Sequence, residues 1–217
     1  MTQTIELDAR FNGPPQSANG GYACGVVAKL LEAETAEVSL RSPPPLGKPL
    51  EVVREGKRAL LRDGETLVAE GEAGELLFDV PDAATLDEAS RASRAGRERW
   101  SSRHPFPTCV VCGPERGGAD CFGVFPGPLE SRAGLFAATW TPDDALADDE
   151  GQVSEECVWA ALDCPTSEPV ANFGEGPPLV LARLTARVAC PVYAGEPHAL
   201  LSWPLELDGR KRHAGSA

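Results

Sequence analysis

The same succession of segments occurs twice in this chain, an almost wholly apolar helical stretch followed by a proline-bounded strand. A duplication of that kind restricts the fold more than any single motif. In the first copy Asn19 can cap a helix running through GGYACGVVAKLL. Tyr22, Val26 and Leu30 share one spacing, and Ala23, Val27 and Leu31 repeat it, so the helix is apolar nearly all round and has to be buried. Gly20, Gly21, Gly25 and Ala28 remove side-chain bulk, and a sheet is expected to approach the helix closely there. The strand that follows alternates Ala36, Val38 and Leu40 with Glu37, Ser39 and Arg41 until prolines 43 to 45 break it. KRALLRDGETLVAEGEA then predicts a hairpin turning at Asp63-Gly64 through a type I′ turn.

The second copy opens with CFGVFPGPLESRAGLFAATW, a predicted hairpin, and passes through an acidic loop from Asp143 to Glu150. Its helix starts near Ser154, with Glu155 and Glu156 suited to the positive end, and CVWAALDC continues it until Pro165 ends it. Thr185, Ala186 and Val188 then match Thr35, Ala36 and Val38, and Gly195-Glu196-Pro197 matches Gly47-Lys48-Pro49. The first copy continues into a full hairpin, whereas the second stops at DGRKRHAGSA, so it is expected to lack its last strands.

Charge and composition narrow the function classes. With 20 Lys+Arg against 33 Asp+Glu the net charge is −13, which argues against a generic nucleic-acid binder. Gly 22 and Pro 20 favour many short strands over long helices. The amino terminus MTQTIELDARF has neither the basic nor the apolar part of a secretion signal, and no apolar run approaches the roughly 20 residues of a membrane span. The expectation is a soluble cytoplasmic protein with no membrane partner. Seven cysteines without a secretion signal suit reduced thiols or a metal site better than a disulfide framework.

Asp163 is the leading chemical candidate, because an ionised carboxylate on an otherwise apolar helix is costly unless paired, hydrated or used. Near the helix carboxyl end both the macrodipole and desolvation raise its pKa and favour a role as proton acceptor; the alternative is a structural acceptor for the turn at Cys164-Pro165-Thr166. Asn19-Gly20-Gly21 is the complementary feature, since first-turn amides point outward and a glycine pair lets a carbonyl oxygen come near them. In His104-Pro105-Phe106-Pro107-Thr108-Cys109-Val110-Val111-Cys112-Gly113 the Cys-x-x-Cys spacing lets two thiolates share a tetrahedral ion. Reduced structural thiols are the first reading there, and a zinc held by His104, Cys109, Cys112 and Cys121 the alternative. Cys24, Cys157, Cys164 and Cys190 sit in apolar contexts and are expected to be packing residues. The arginine run of DEASRASRAGRERW reads as a solvated linker helix, or, through Arg94 and Arg97, as a grip on the phosphates of a nucleotide-tailed ligand. Neither a nucleophile elbow nor a phosphate loop nor a dinucleotide fingerprint occurs, so no cofactor is expected.

Taken together, FNGPPQSANGGYACGVVA, RSPPPLGKPLEV, HPFPTCVVCG and VWAALDCP resemble thioesterase-like double-hotdog proteins of the actinobacterial type, over nearly the whole chain. The resemblance implies an α+β fold, a tandem double hotdog in which antiparallel sheets each wrap a long central helix. The halves would be residues 1–87 and 118–217, with 88–117 as an Arg-rich linker and Cys-x-x-Cys loop. Acyl-CoA thioesterases of the second type carry an aspartate on the second-half helix, which Asp163 matches in Ala-Leu-Asp, and a strand Thr or Ser, for which Thr185 is the candidate; their late-strand Gln has no match, because no Gln follows Gln152. The implied activity is hydrolysis of acyl-CoA or a related acyl thioester by carboxylate-activated water, with Asn19, Gly20 and Gly21 at the oxyanion. The alternatives are a non-catalytic acyl-CoA binder and an interaction protein with a structural zinc loop. The assembly would be a monomer or a homodimer.

Overall fold

A computed structural model describes residues 3–101, 103–170, 178–208 and 211–217. Among the described residues ten strands form two antiparallel sheets. The larger has the order β1-β3-β4-β5-β2-β8, from β1 (Thr4–Glu6), β2 (Ala36–Leu40), β3 (Pro49–Glu55), β4 (Arg58–Asp63), β5 (Thr66–Ala73) and β8 (Arg183–Ala186). The smaller has the order β10-β9-β7-β6, from β6 (Gly127–Pro128), β7 (Phe136–Trp140), β9 (His198–Asp208) and β10 (Lys211–Ser216). With them lie the α-helices α1 (Gly20–Ala28), α2 (Leu86–Ser101) and α3 (Glu155–Asp163).

Asn19 caps α1 as its sequence predicts, its side-chain oxygen accepting the Tyr22 amide at 2.9 Å. The buried face of α1 lies against β2, β4 and β5, where Gly71 leaves room for Val27. The bulk missing at Gly21 and Gly25 serves a different neighbour from the expected sheet. A Cβ on Gly21 would stand 2.5 Å from the Trp159 carbonyl oxygen, and one on Gly25 would stand 2.6 Å from the Glu156 Cα. Both glycines therefore face α3, and the two buried helices touch backbone to backbone, Gly21 beside the end of α3 and Gly25 beside its start.

The hairpin at Asp63-Gly64 forms, with Asp63 facing Thr66. Gly64 has φ +57°, whereas Glu65 is not among the residues of positive φ. Only the first central position is left-handed, which is the pattern of a type II′ turn and not of the expected type I′. Gly47 and Gly195, matched in the sequence, both have positive φ, +64° and +77°, just ahead of β3 and β9. The correspondence slips at β8: Ala36 and Val38 both lie in β2, whereas of their matches Ala186 ends β8 (Arg183–Ala186) and Val188 falls beyond it. There it pairs antiparallel with β2, Ala36 facing Ala186 and Val38 facing Leu184, so the larger sheet takes its last strand from the second half of the sequence.

The carboxyl-terminal stretch is not without strand structure. Lys211–Ser216 forms β10, a hairpin partner of β9 in which Gly215 faces Trp203; Gly209 and Arg210 lie outside the described residues. Nor is α2 a solvated linker. Thr85 and Glu88 form a capping box at its start, the Thr85 hydroxyl accepting the Glu88 amide at 3.2 Å and the Glu88 carboxylate accepting the Thr85 amide at 3.0 Å. These bonds hold the Glu88 carboxyl down at about 2. Ala89, Ala92, Gly96 and Trp100 are buried, and Gly96 and Gly127 let the helix press on β6, where a Cβ on Gly127 would stand 2.1 Å from the Ala92 carbonyl oxygen. The smaller sheet is thus covered on both faces. Ala137, Leu201 and Trp203 turn toward α2, while Ala138, Trp140 and Leu200 join the main core, which explains the nearly unbroken apolar runs of β7 and β9.

Candidate active site at the helix crossing

Asp163 ends α3 and Cys164-Pro165 follows at once, the proline allowing only a short 3-10 turn over Cys164–Ser167. The Thr166 and Ser167 hydroxyls donate to the Asp163 and Cys164 carbonyls at 2.6 and 2.8 Å, so that turn satisfies backbone acceptors at the end of α3. The Asp163 carboxylate points elsewhere: its Oδ2 accepts the Gly21 amide at 2.8 Å. Desolvation raises its pKa to about 7, against the lowering influence of the Gly21 amide, and the nearby Cys109 sulfur raises it further.

The first turn of α1 is therefore divided among partners. The Tyr22 amide is held by Asn19, and the Gly21 amide by Asp163. The Gly20 amide is the first-turn donor left without a partner among the described residues. The Leu181 side chain lies over Gly20, and the Asp163 Oδ2 is near enough that a Cβ on Gly20 would meet it at 3.3 Å. A carboxylate and an open backbone donor thus share one corner, built by the ends of two antiparallel helices.

Beside this corner lie three thiols. Cys109 Sγ stands 3.6 Å from Cys112 Sγ and 3.9 Å from Cys164 Sγ. Asn19, buried, directs Nδ2 toward Cys164 Sγ at 3.6 Å and Cys109 Sγ at 4.0 Å. Hydrogen bonds from Cys112 and Cys164, together with the Cys112 and Val111 amides, lower the Cys109 thiol well below the usual thiol range. Burial pushes the Cys112 thiol up, and Cys164 is raised chiefly by its hydrogen bond with Cys109. Cys164, expected as a packing residue, belongs to this cluster. Cys121 sits instead against the Arg116 carbonyl at 3.5 Å, and His104 reaches the cluster at Cys112, its Nε2 3.3 Å from the sulfur.

The remaining sequence candidates are placed away from the corner. The Thr185 hydroxyl donates to Glu37 at 3.1 Å, on the β2 and β8 pairing that Arg183 and Glu37 also bridge. Arg97 stacks on the Phe125 ring and Arg94 is exposed beside Ser90, both on α2. A cleft of about 520 Å³ has Phe11, Tyr22, Leu146, Val153 and Cys157 in its wall and Arg10, Lys29 and Glu156 among its charged residues. It opens beside the start of α3, and the six residues from Cys157 to Asp163 put about 9 Å of helix between cleft and carboxylate.

No protein-family model and no curated protein matches the chain. Among solved structures, a tesB protein of Mycobacterium avium subspecies paratuberculosis superposes with a TM-score of 0.53, covering 94% of this chain and 81% of that one at 13% identity. This is a hotdog-type fold. A proposed oleoyl thioesterase of Lactobacillus plantarum gives 0.49 at 7% identity, covering 99% and 93% of the two chains. The dehydratase domain of the polyketide synthase PpsC of Mycobacterium tuberculosis gives 0.47 at 13% identity, covering 99% and 85%. Within the hotdog fold, α1 and α3 are the buried helices, and the Asp163 corner lies where they meet. Among the described residues no helix is long and apolar enough to cross a membrane.

Proposed function

We propose that the chain is a tandem double hotdog that binds acyl thioesters of the coenzyme A type and hydrolyses them. The observation that carries this reading is the Asp163 carboxylate set against the amino-terminal end of α1, its Oδ2 fixed by the Gly21 amide. One carboxylate oxygen orients the group and the other is left to hold a water and take its proton as that water attacks the thioester carbon. The Gly20 amide, near the same carboxylate, donates to the oxygen that gains charge. Electrons pass from the water oxygen to the carbonyl carbon, the oxyanion collapses, and the thiolate leaves with the proton returned by Asp163. Thr185 stays on Glu37 and is given no part in this mechanism.

The test is free-thiol release from acyl-CoAs of short to long chain, with Asp163→Asn alongside. The asparagine amide oxygen can still accept from Gly21, so the corner keeps its shape while the base is lost. Turnover is expected to fall by about 10²- to 10⁴-fold, the range that a positioned general base supplies, with KM nearly unchanged. Undiminished turnover in Asp163→Asn overturns the assignment. The engagement of Thr185 with Glu37 favours a second reading, a binder without turnover, for which acyl-CoA affinity with no thiol release is the expected result.

A further inference from the structure

Cys109 and Cys112 belong to the loop after α2, and Cys164 is the first residue past α3, yet their three sulfurs lie within 4.8 Å of one another. Two thiolates on a tetrahedral zinc, each with a Zn–S bond of about 2.3 Å, stand about 3.8 Å apart. The sulfur separations of 3.6 and 3.9 Å bracket that edge. We propose that Cys109, Cys112 and Cys164 bind one soft divalent cation, zinc by the chemistry of its donors, through three thiolates.

The surroundings of the sulfurs are those that thiolate ligands require. Each faces a nitrogen donor: Cys109 the Asn19 amide nitrogen and the Val111 and Cys112 backbone amides, Cys164 the same Asn19 nitrogen, and Cys112 the His104 ring. Such outer contacts orient ligands and favour their charged form. Three thiolates packed this closely repel one another, and a dication between them removes that cost. The loop is shaped for the purpose as well. The Gly113 amide donates to the Cys109 carbonyl at 2.9 Å, and a Cβ on Gly113 would stand 2.5 Å from the Cys109 nitrogen, so only glycine closes the turn that brings the first two sulfurs together.

His104 is an outer partner and not the fourth ligand. Its Nδ1 accepts the Phe106 amide at 2.9 Å, which leaves the ring proton on Nε2, the nitrogen that meets Cys112 Sγ. The fourth corner falls to water or to an added ligand, as at zinc sites with three protein ligands. Binding needs no electron transfer: each thiol gives its proton to solvent, and three metal–sulfur bonds replace three sulfur–hydrogen bonds. The ion joins the loop after α2 to the residue that follows Asp163, and its presence does not depend on the acyl chemistry proposed above.

The test uses the full chain purified under reducing conditions, stripped with a chelator, and then given zinc or cobalt(II) salts. The expected results are one zinc per chain by elemental analysis after desalting, and in the cobalt form a thiolate-to-metal charge-transfer band with the ligand-field pattern of a tetrahedral ion. Cys164→Ser is expected to lose the zinc and Cys121→Ser to keep it, while His104→Ala weakens binding by about 10- to 100-fold, as removal of an outer-shell partner does. The wild-type cobalt spectrum reads the site whether or not a variant folds. Absence of the charge-transfer band overturns the proposal. So does a Cys109–Cys112 disulfide in the reduced preparation, or zinc that survives Cys164→Ser and is lost in Cys121→Ser. None of these readouts uses an acyl substrate, so failure here is distinct from failure of the thioesterase reading.

Discussion

Gly25→Ala sets two opposed effects against each other. Glycine in mid-helix is about 1 kcal/mol less favourable than alanine, so propensity alone makes the substitution stabilising. The added methyl, however, would stand 2.6 Å from the Glu156 Cα, 2.9 Å from the Trp159 Cβ and 3.0 Å from the Glu156 Cβ. Carbon pairs prefer roughly 3.5–4.0 Å, and the nearest of these atoms is backbone, which no rotamer change can move aside. The helices have to part by about 1 Å, and overpacking of that kind costs about 1–3 kcal/mol. Because α1 and α3 are both buried and meet along their length, we place the cost at the upper end and expect a net loss of about 2 kcal/mol. In a chain of this size that lowers Tm by about 4–8 °C. The assay is thermal and urea unfolding followed by circular dichroism. Gly117→Ala serves as the control, because a Cβ there meets nothing within 4 Å and its effect should stay within about 0.5 kcal/mol. A Gly25→Ala protein as stable as wild type would refute the backbone-to-backbone reading of the helix crossing.

Glu168 is buried with one carboxylate oxygen on the Trp100 indole and the other 3.1 Å from Arg99, and desolvation raises its pKa to about 7 despite both partners. The unfolded chain releases that proton near 4.5, so stability is highest below that pH, falls as pH rises toward 7, and stays lower above it, by a total on the order of 3 kcal/mol. Glu168→Gln keeps an acceptor for Trp100 and has no such dependence; its Tm should approach or exceed that of wild type as pH rises from about 5 to about 8, and a difference that stays constant over the range would contradict the assignment. Asn19→Ala removes the α1 cap and the donor shared by Cys109 and Cys164. It should cost about 1–2 kcal/mol in urea unfolding and also weaken retention of zinc, whereas a stability loss with zinc affinity unchanged would limit Asn19 to capping.

What could be read from the sequence was what depends on neighbours in the chain. Asn19 caps α1 through Tyr22, Pro165 stops α3, and Asp63-Gly64 turns a hairpin, because each needs only residues a few positions away. Asp163 drew notice by its charge on an apolar helix, but its partner, the Gly21 amide, lies on another helix. The thiol cluster was half legible. Cys-x-x-Cys announces two members, and Cys121 is the nearest third along the sequence, while the fold supplies Cys164 from beyond α3. The packing of α2 was hidden for a different reason. Its buried stripe is Ala89, Ala92 and Gly96 before Trp100, residues too small to register as an apolar face beside so many arginines. The slip at β8 shows that resemblance between copies does not fix strand register, which here is set by pairing with β2.

That pairing governs how the molecule can assemble. β8 completes the larger sheet by lying on β2, and their partners are separated by most of the chain, Ala36 against Ala186. During synthesis the first half can form its other strands and α1 early, from contacts that are short along the chain, while the outer edge of β2 stays open until residues 183–186 emerge. The closing step carries a large loop-entropy cost and a correspondingly slow rate. Until then the growing polypeptide presents an unpaired strand that a second nascent copy could capture, so folding fidelity rests on a four-residue strand about 150 positions further along the chain than its partner.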